Sequence, residues 1–236
     1  MKRLILSIFL LLALCGNALS VTSTFTDTGD HLWGTAANWD AGVPDATVDA
    51  VISAGTTALN LGSTARACKT FTATGTSGLT ITGSAALSVS GNVTLDSNVT
   101  YNTTGNLLMI AAGTFTTGNA TITCATFGDN AQTGAKTLTA GSSAINCINL
   151  SWRGANTTIT ANTATVNITP TAALPHNYFG AQTWGGTVTF NIVDGVQGVI
   201  WDANTFANLN VISTPDDYSS GVLGFGANQT VSGTFA

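Results

Sequence analysis

After its first twenty residues the chain is built from short alternations of apolar and polar side chains. Leu79-Thr80-Ile81-Thr82, Leu87-Ser88-Val89-Ser90, Val93-Thr94-Leu95 and Ile122-Thr123-Cys124 are examples. Val166-Asn167-Ile168-Thr169 and Val188-Thr189-Phe190-Asn191-Ile192 continue the series. Alternation at period two sends every second side chain to one face, the pattern of a half-buried strand. Thr suits the outer positions, because β-branched side chains are stiff and pack well on a pleated surface. Gly, Asn, Asp and Ser separate the runs, and these residues tolerate tight-turn geometry. No helical period follows the leader. The pattern predicts an all-β chain of many short strands.

Two all-β architectures suit such strands: a sandwich or barrel, and a solenoid. An internal repeat separates them. Gly118-Asn119-Ala120-Thr121-Ile122-Thr123-Cys124-Ala125-Thr126-Phe127 aligns with Gly141-Ser142-Ser143-Ala144-Ile145-Asn146-Cys147-Ile148-Asn149-Leu150 at an offset of 23 (147 − 124). Cys68-Lys69-Thr70-Phe71 is a third copy of the Cys-x-x-apolar element, and Trp184 to Phe190 matches Phe206 to Val211 at a similar offset. A fixed period of this size is the signature of stacked coils. We therefore expect a right-handed parallel β-helix, a β-solenoid with turns of about 21–24 residues. Residues 51–236 would hold about eight turns and extend roughly 40 Å. Residues 21–54 hold five of the eleven Asp and two of the five Trp, and are expected to form an N-terminal cap or first turn. Residues 55–236 are expected to be solenoid repeats. Val231-Ser232-Gly233-Thr234-Phe235-Ala236 looks like the middle of another strand, so the sequence is expected to be truncated there, leaving an uncapped edge open to end-to-end or oligomeric contact.

Met1–Ser20 changes the setting. Lys2 and Arg3 precede an apolar run, Leu4–Leu14, that is too short for a membrane span of about 20 residues. Ala18-Leu19-Ser20 supplies small residues at −3 and −1, which predicts a signal peptide cleaved after Ser20. Leu12-Ala13-Leu14-Cys15 offers lipoprotein processing as the alternative. The rest of the chain shows no other apolar stretch of spanning length. Only 7% of residues are charged and Glu is absent, while Thr numbers 42 and Asn 20. Helix surfaces draw on Glu, Lys and Arg, so this composition argues against a helical enzyme. A net charge of −5 gives no footprint for nucleic acid.

Candidate chemistry is sparse. Polysaccharide-cleaving β-helices need paired carboxyls. The candidates are Asp194 with Asp202, and Asp216-Asp217, all in turn contexts. Asp27, Asp30 and His31 lack the regular spacing of a calcium loop and read as surface loop. His176 follows Pro175 with no nucleophile elbow. We therefore expect no catalytic, cofactor or metal site. Cys124 and Cys147 are expected on consecutive turns, either as a ladder of small hydrophobes or as a disulfide, with Cys68 a similar buried residue. Trp33, Trp39, Trp152, Trp184 and Trp201 are read mainly as packing, with a sugar-stacking platform as the alternative.

Trp33-Gly34-Thr35-Ala36-Ala37-Asn38-Trp39-Asp40-Ala41-Gly42-Val43-Pro44-Asp45, followed by Asp49-Ala50-Val51-Ile52, resembles an opening found in exported bacterial β-helix proteins of adhesin-like and autotransporter-like type. Lys136-Thr137-Leu138-Thr139-Ala140-Gly141, Gly180-Ala181-Gln182-Thr183-Trp184 and Gly226-Ala227-Asn228-Gln229-Thr230-Val231 resemble repeats of β-solenoid proteins from bacteria and tailed phages. Neither resemblance carries catalytic residues. Together they imply a structural or adhesive role at, or secreted from, a bacterial surface, with surface glycans or host-surface molecules as partners. A polysaccharide-binding or polysaccharide-cleaving β-helix, and a phage tail or host-recognition component, are the alternatives.

Overall fold

The structure is a computed structural model that describes residues 20–236 apart from 77, 97, 130–133, 154–155, 172–175, 194–196, 202, 215–221 and 227. Residues 1–19, which hold nearly all of the expected leader Met1–Ser20, lie outside the described residues. Every pairing between the strands is parallel and joins one coil to the next, forming a β-solenoid of about seven turns. Among the described residues the one helical element is the 3-10 turn Ala36–Asn38.

Strands of successive coils line three faces, the first of which ends at Thr157–Thr160 while the other two run on through later coils. The first face is a seven-stranded sheet running from Thr22–Phe25 through Asp49–Ile52, Thr70–Ala73, Val93–Leu95, Gly113–Thr116 and Lys136–Thr139 to Thr157–Thr160. The second face stacks Leu59, Ile81, Tyr101, Ile122, Ile145, Val166, Val188 and Leu209 in register. The third begins at Arg66–Cys68 and ends at Val222–Phe225. Steps along the second face are 20 to 23 residues. Steps on the third face are less even, because later coils carry insertions. Ser151 pairs with Tyr178 at a step of 27, and Ile200 with Phe225 at 25.

The 23-residue repeat is a corner. Thr121–Asp129 and Ala144–Trp152 each run unbroken from the second face to the third. In the first, Ile122 and Cys124 are buried, Ala125 and Thr126 are both half-buried, and Phe127 and Asp129 are buried again. Two successive outward residues shift the parity by one, which turns the strand around the corner. Ile145 and Cys147, then Leu150 and Trp152, repeat this on the next coil.

The inward side chains form one core along the axis. Phe71, Val93, Phe115 and Leu138 stack on the first face, each fully buried. Phe115, Phe127 and Trp152 meet edge-to-face at 5.2–6.0 Å across the interior. Each such side chain contributes roughly 1.5–3 kcal/mol by leaving water, and a coil gains this only when a neighbour covers it.

The two ends differ. The first coil is covered by the loop carrying Trp33 and Trp39, whose rings pack 4.8 Å apart and reach Phe25 and Phe71. Asn38 is fully buried and knits this loop together. It accepts the Thr28 N–H at 2.9 Å and donates to the Leu32 carbonyl at 2.8 Å. On the last coil Phe225 and Phe235 are exposed. They border an open cavity of about 490 Å³ together with Leu209, Gln229 and Val231.

One corner needs glycine. Gly118 and Gly141 have φ of 56° and 59°, and Asn162 continues the left-handed turn at 47°. A methyl added at Gly141 would lie 1.9 Å from the Gly118 carbonyl oxygen, so no side chain fits. Gly141→Ala is expected to cost more than about 2 kcal/mol through strain and overpacking, read as a lowered midpoint in urea. An unchanged midpoint would show that this corner does not constrain the stack.

Candidate functional site

A buried polar constellation lies where the first and third faces meet. Asp129 ends the long strand Thr121–Asp129, at the inward register position that Cys68, Val89 and Met109 fill on earlier coils. Lys136 opens the next strand on the first face and shares the inward parity of Leu138. The two meet in a buried ion pair, Nζ to Oδ2 at 3.1 Å, with both side chains shielded from solvent. The Arg153 N–H donates to Asp129 Oδ1 at 3.0 Å, and Ser151 Oγ donates to the Asp129 carbonyl at 3.1 Å. Burial pushes the Asp129 carboxyl above its ordinary value, while the Arg153 amide and Lys136 act in the opposite direction.

A cation–aromatic stack continues outward from this pair. The Arg153 guanidinium lies 4.2 Å from the centre of the Tyr178 ring. Tyr178 stacks on Trp201 at 6.4 Å with the rings 17° from parallel. A Cβ at Gly226 would sit 2.6 Å from the Trp201 ring, so the next coil closes against that face. The rings thus cover one another, and Tyr178 is half-buried. Trp201 is 37% exposed, while Trp33, Trp39, Trp152 and Trp184 are buried. Packing therefore accounts for four of the five tryptophans, and the exposed one stands outside the core.

Asp194, Asp202, Asp216 and Asp217, and the side chain of His176, lie outside the described residues. Asp30 organises the N-terminal loop by accepting from the Leu32 N–H at 2.9 Å, the Thr35 hydroxyl at 2.7 Å and the Asn38 amide. The Leu32, Thr35 and Asn38 donors hold the Asp30 carboxyl below its ordinary value. His31 Nδ1 lies 2.6 Å from Asp27 Oδ2. Among the described residues no group of three or more His, Cys or Asp is placed to hold a metal ion. Asp40, Asp45, Asp49 and Asp96 each accept a hydrogen bond from a neighbouring backbone or hydroxyl. The Asp129–Lys136 pair was missed in the sequence, although Lys136 stands at the inward parity of its own alternating run.

Cys124 and Cys147 are register partners and, like Cys68, carry free thiols. The arrangement is the ladder. Side chains of in-register parallel neighbours point the same way about 4.8 Å apart, and no S–S bond joins the two. Both border a shallow groove of about 300 Å³ on the outer corner with Thr104, Thr123, Asn146 and Thr169. Burial pushes the Cys124 thiol up to about 12, and raises those of Cys68 and Cys147 as well.

No family model, curated protein or solved structure matches this chain.

Removing one member of the buried pair leaves the other charge without compensation. Lys136→Met is expected to destabilise by about 3–5 kcal/mol in chemical denaturation, and adding Asp129→Leu to recover most of that loss. A neutral single substitution would contradict the pairing. The thiols, held protonated, are expected to resist iodoacetamide at pH 8 in the folded protein and to react once it is unfolded. Rapid labelling of the native chain would contradict their burial.

Proposed function

We propose that this chain is a non-enzymatic structural or adhesin-like β-solenoid, exported by its leader and displayed at or secreted from a bacterial surface. One observation carries the reading: every described aspartate takes part in the chain's own structure. Asp27, Asp30, Asp40 and Asp45 tie the N-terminal loop, Asp49 and Asp96 link neighbouring coils, and Asp129 neutralises Lys136 inside the core. General acid–base chemistry on a glycan needs two carboxyls facing a substrate at defined separation. Parallel coils without a slip in register on the first face, together with the low charge, suit a stiff rod that resists proteolysis and presents its faces over a distance.

A polysaccharide-binding role is the second reading, favoured by the exposed Trp201 beside Tyr178 and Arg153. Aromatic edges next to a cation offer a narrow strip for a sugar chain.

Incubation with a panel of acidic and neutral polysaccharides, assayed for new reducing ends and unsaturated products, tests the first reading. No turnover is expected over a day. Turnover would overturn the non-enzymatic assignment. Retention on one polysaccharide that is lost in Trp201→Ala would instead favour the second.

A further inference from the structure

The first face presents a lattice of threonines. Thr114, Thr137 and Thr158 are register partners, and so are Thr116, Thr139 and Thr160. All six are exposed or half-buried, and the residues between them, Phe115, Leu138 and Ile159, point inward. The second column extends back through Thr94 to Thr72 without a slip in register. Asp49 is the one charged side chain at an outward register position of this sheet.

Spacing follows from backbone geometry. Neighbouring coils set successive threonines about 4.8 Å apart along the axis, and residues i and i+2 stand about 6.6–6.8 Å apart along the strand. Inward anchoring of Phe115, Leu138 and Ile159 fixes the backbone, and β-branching limits χ1. Each hydroxyl and each methyl therefore recurs at the same place on a rectangular grid. Hydroxyls separated by a strand spacing are too far apart to bond one another directly, since an O–H···O bond spans about 2.5–3.0 Å. Among the described residues none of the six hydroxyls makes a hydrogen bond to the protein, and the six side chains are exposed or half-buried. The second face differs, for there Asn167 donates to Asn146 at 2.9 Å and the ladder closes on itself.

We propose that this threonine face binds ice. A grid of identical donors, acceptors and methyls is complementary only to a ligand that repeats with the same periods. The two spacings approximate the oxygen repeats on a prism face of ice. Each hydroxyl takes one lattice position, and the methyls sit in the hollows between. Single contacts are weak, and affinity comes from many rigidly linked contacts made at once. A glycan calls for aromatic planes and varied polar groups, which the outward positions of this face do not offer. The proposal names the surface to which the rod adheres and so rests on the non-enzymatic reading.

The test uses the chain as secreted. It is followed on a single ice crystal held just below its melting point, and by partition into slowly grown ice. The expected results are faceted growth, a gap between melting and freezing points, and enrichment in the ice fraction. Thr116→Lys and Thr137→Lys are expected to abolish all three, while Asn102→Lys on the second face keeps them. Should either lysine variant fold poorly by circular dichroism, Thr116→Val with Thr137→Val preserves shape and β propensity and is expected to lose most of the enrichment. Rounded crystals with wild-type protein excluded from ice would overturn the proposal. So would undiminished ice binding in the folded lattice variants, or retention on microcrystalline cellulose or chitin, but not ice, that Thr137→Lys removes. Loss of ice binding leaves the scaffold assignment standing, whereas glycan turnover removes that assignment irrespective of ice.

Discussion

The structure depends on each coil covering the apolar floor of the next while their backbones pair in register. A single turn of about 22 residues cannot enclose its own Phe, Leu, Ile and Val side chains. Phe71, Val93, Phe115 and Leu138 leave water because each lies over the one before it. The same stacking satisfies the backbone, since outward N–H and C=O groups of one strand meet those of its neighbours. The low charge follows from this arrangement. A rod held together by backbone ladders and an axial core can fill its outer positions with Thr and Asn.

Register turns local chemistry into extended features. Gly118, Gly141 and Asn162 stack into one left-handed corner. Cys124 and Cys147 become a ladder, Arg153, Tyr178 and Trp201 a column, and the first-face threonines a grid. None of these requires a special local fold. The arrangement also exposes the rod to its weakest coil, because each one is stabilised mainly by its two neighbours. The buried Asp129–Lys136 pair sits in the middle of the stack, where a coil displaced by one residue would leave two charges uncompensated. That makes the pair a guard of register as well as a polar intrusion in the core.

Much of this could be read from sequence. Alternating runs such as Leu79-Thr80-Ile81-Thr82 gave the strands and their inward faces, and the repeat around Cys124 and Cys147 gave the coil length. The repeat's physical meaning, a corner where parity shifts at Ala125 and Thr126, needed coordinates, because alternation says nothing about bends. The longer step between Ser151 and Tyr178 is not announced by any alternating run. Lys136 was legible in principle, since it shares parity with Leu138, but its partner Asp129 lies on another face and no local pattern links them. The roles of Asp30 and Asn38 were hidden for a similar reason. Their carboxylate and amide groups are matched to backbone donors and acceptors that only the folded loop brings together.

Stacking in register is tested most directly by a distance along the axis. Spin labels at Thr24 and Thr160 sit on the first face, 136 residues apart in sequence (160 − 24) and six register steps apart in the sheet. Pulsed electron–electron resonance should return one narrow distribution centred near 29 Å, six steps of about 4.8 Å each. A broad distribution, or a narrow one below about 20 Å as expected for two sheets folded face to face, would contradict the stacked coil.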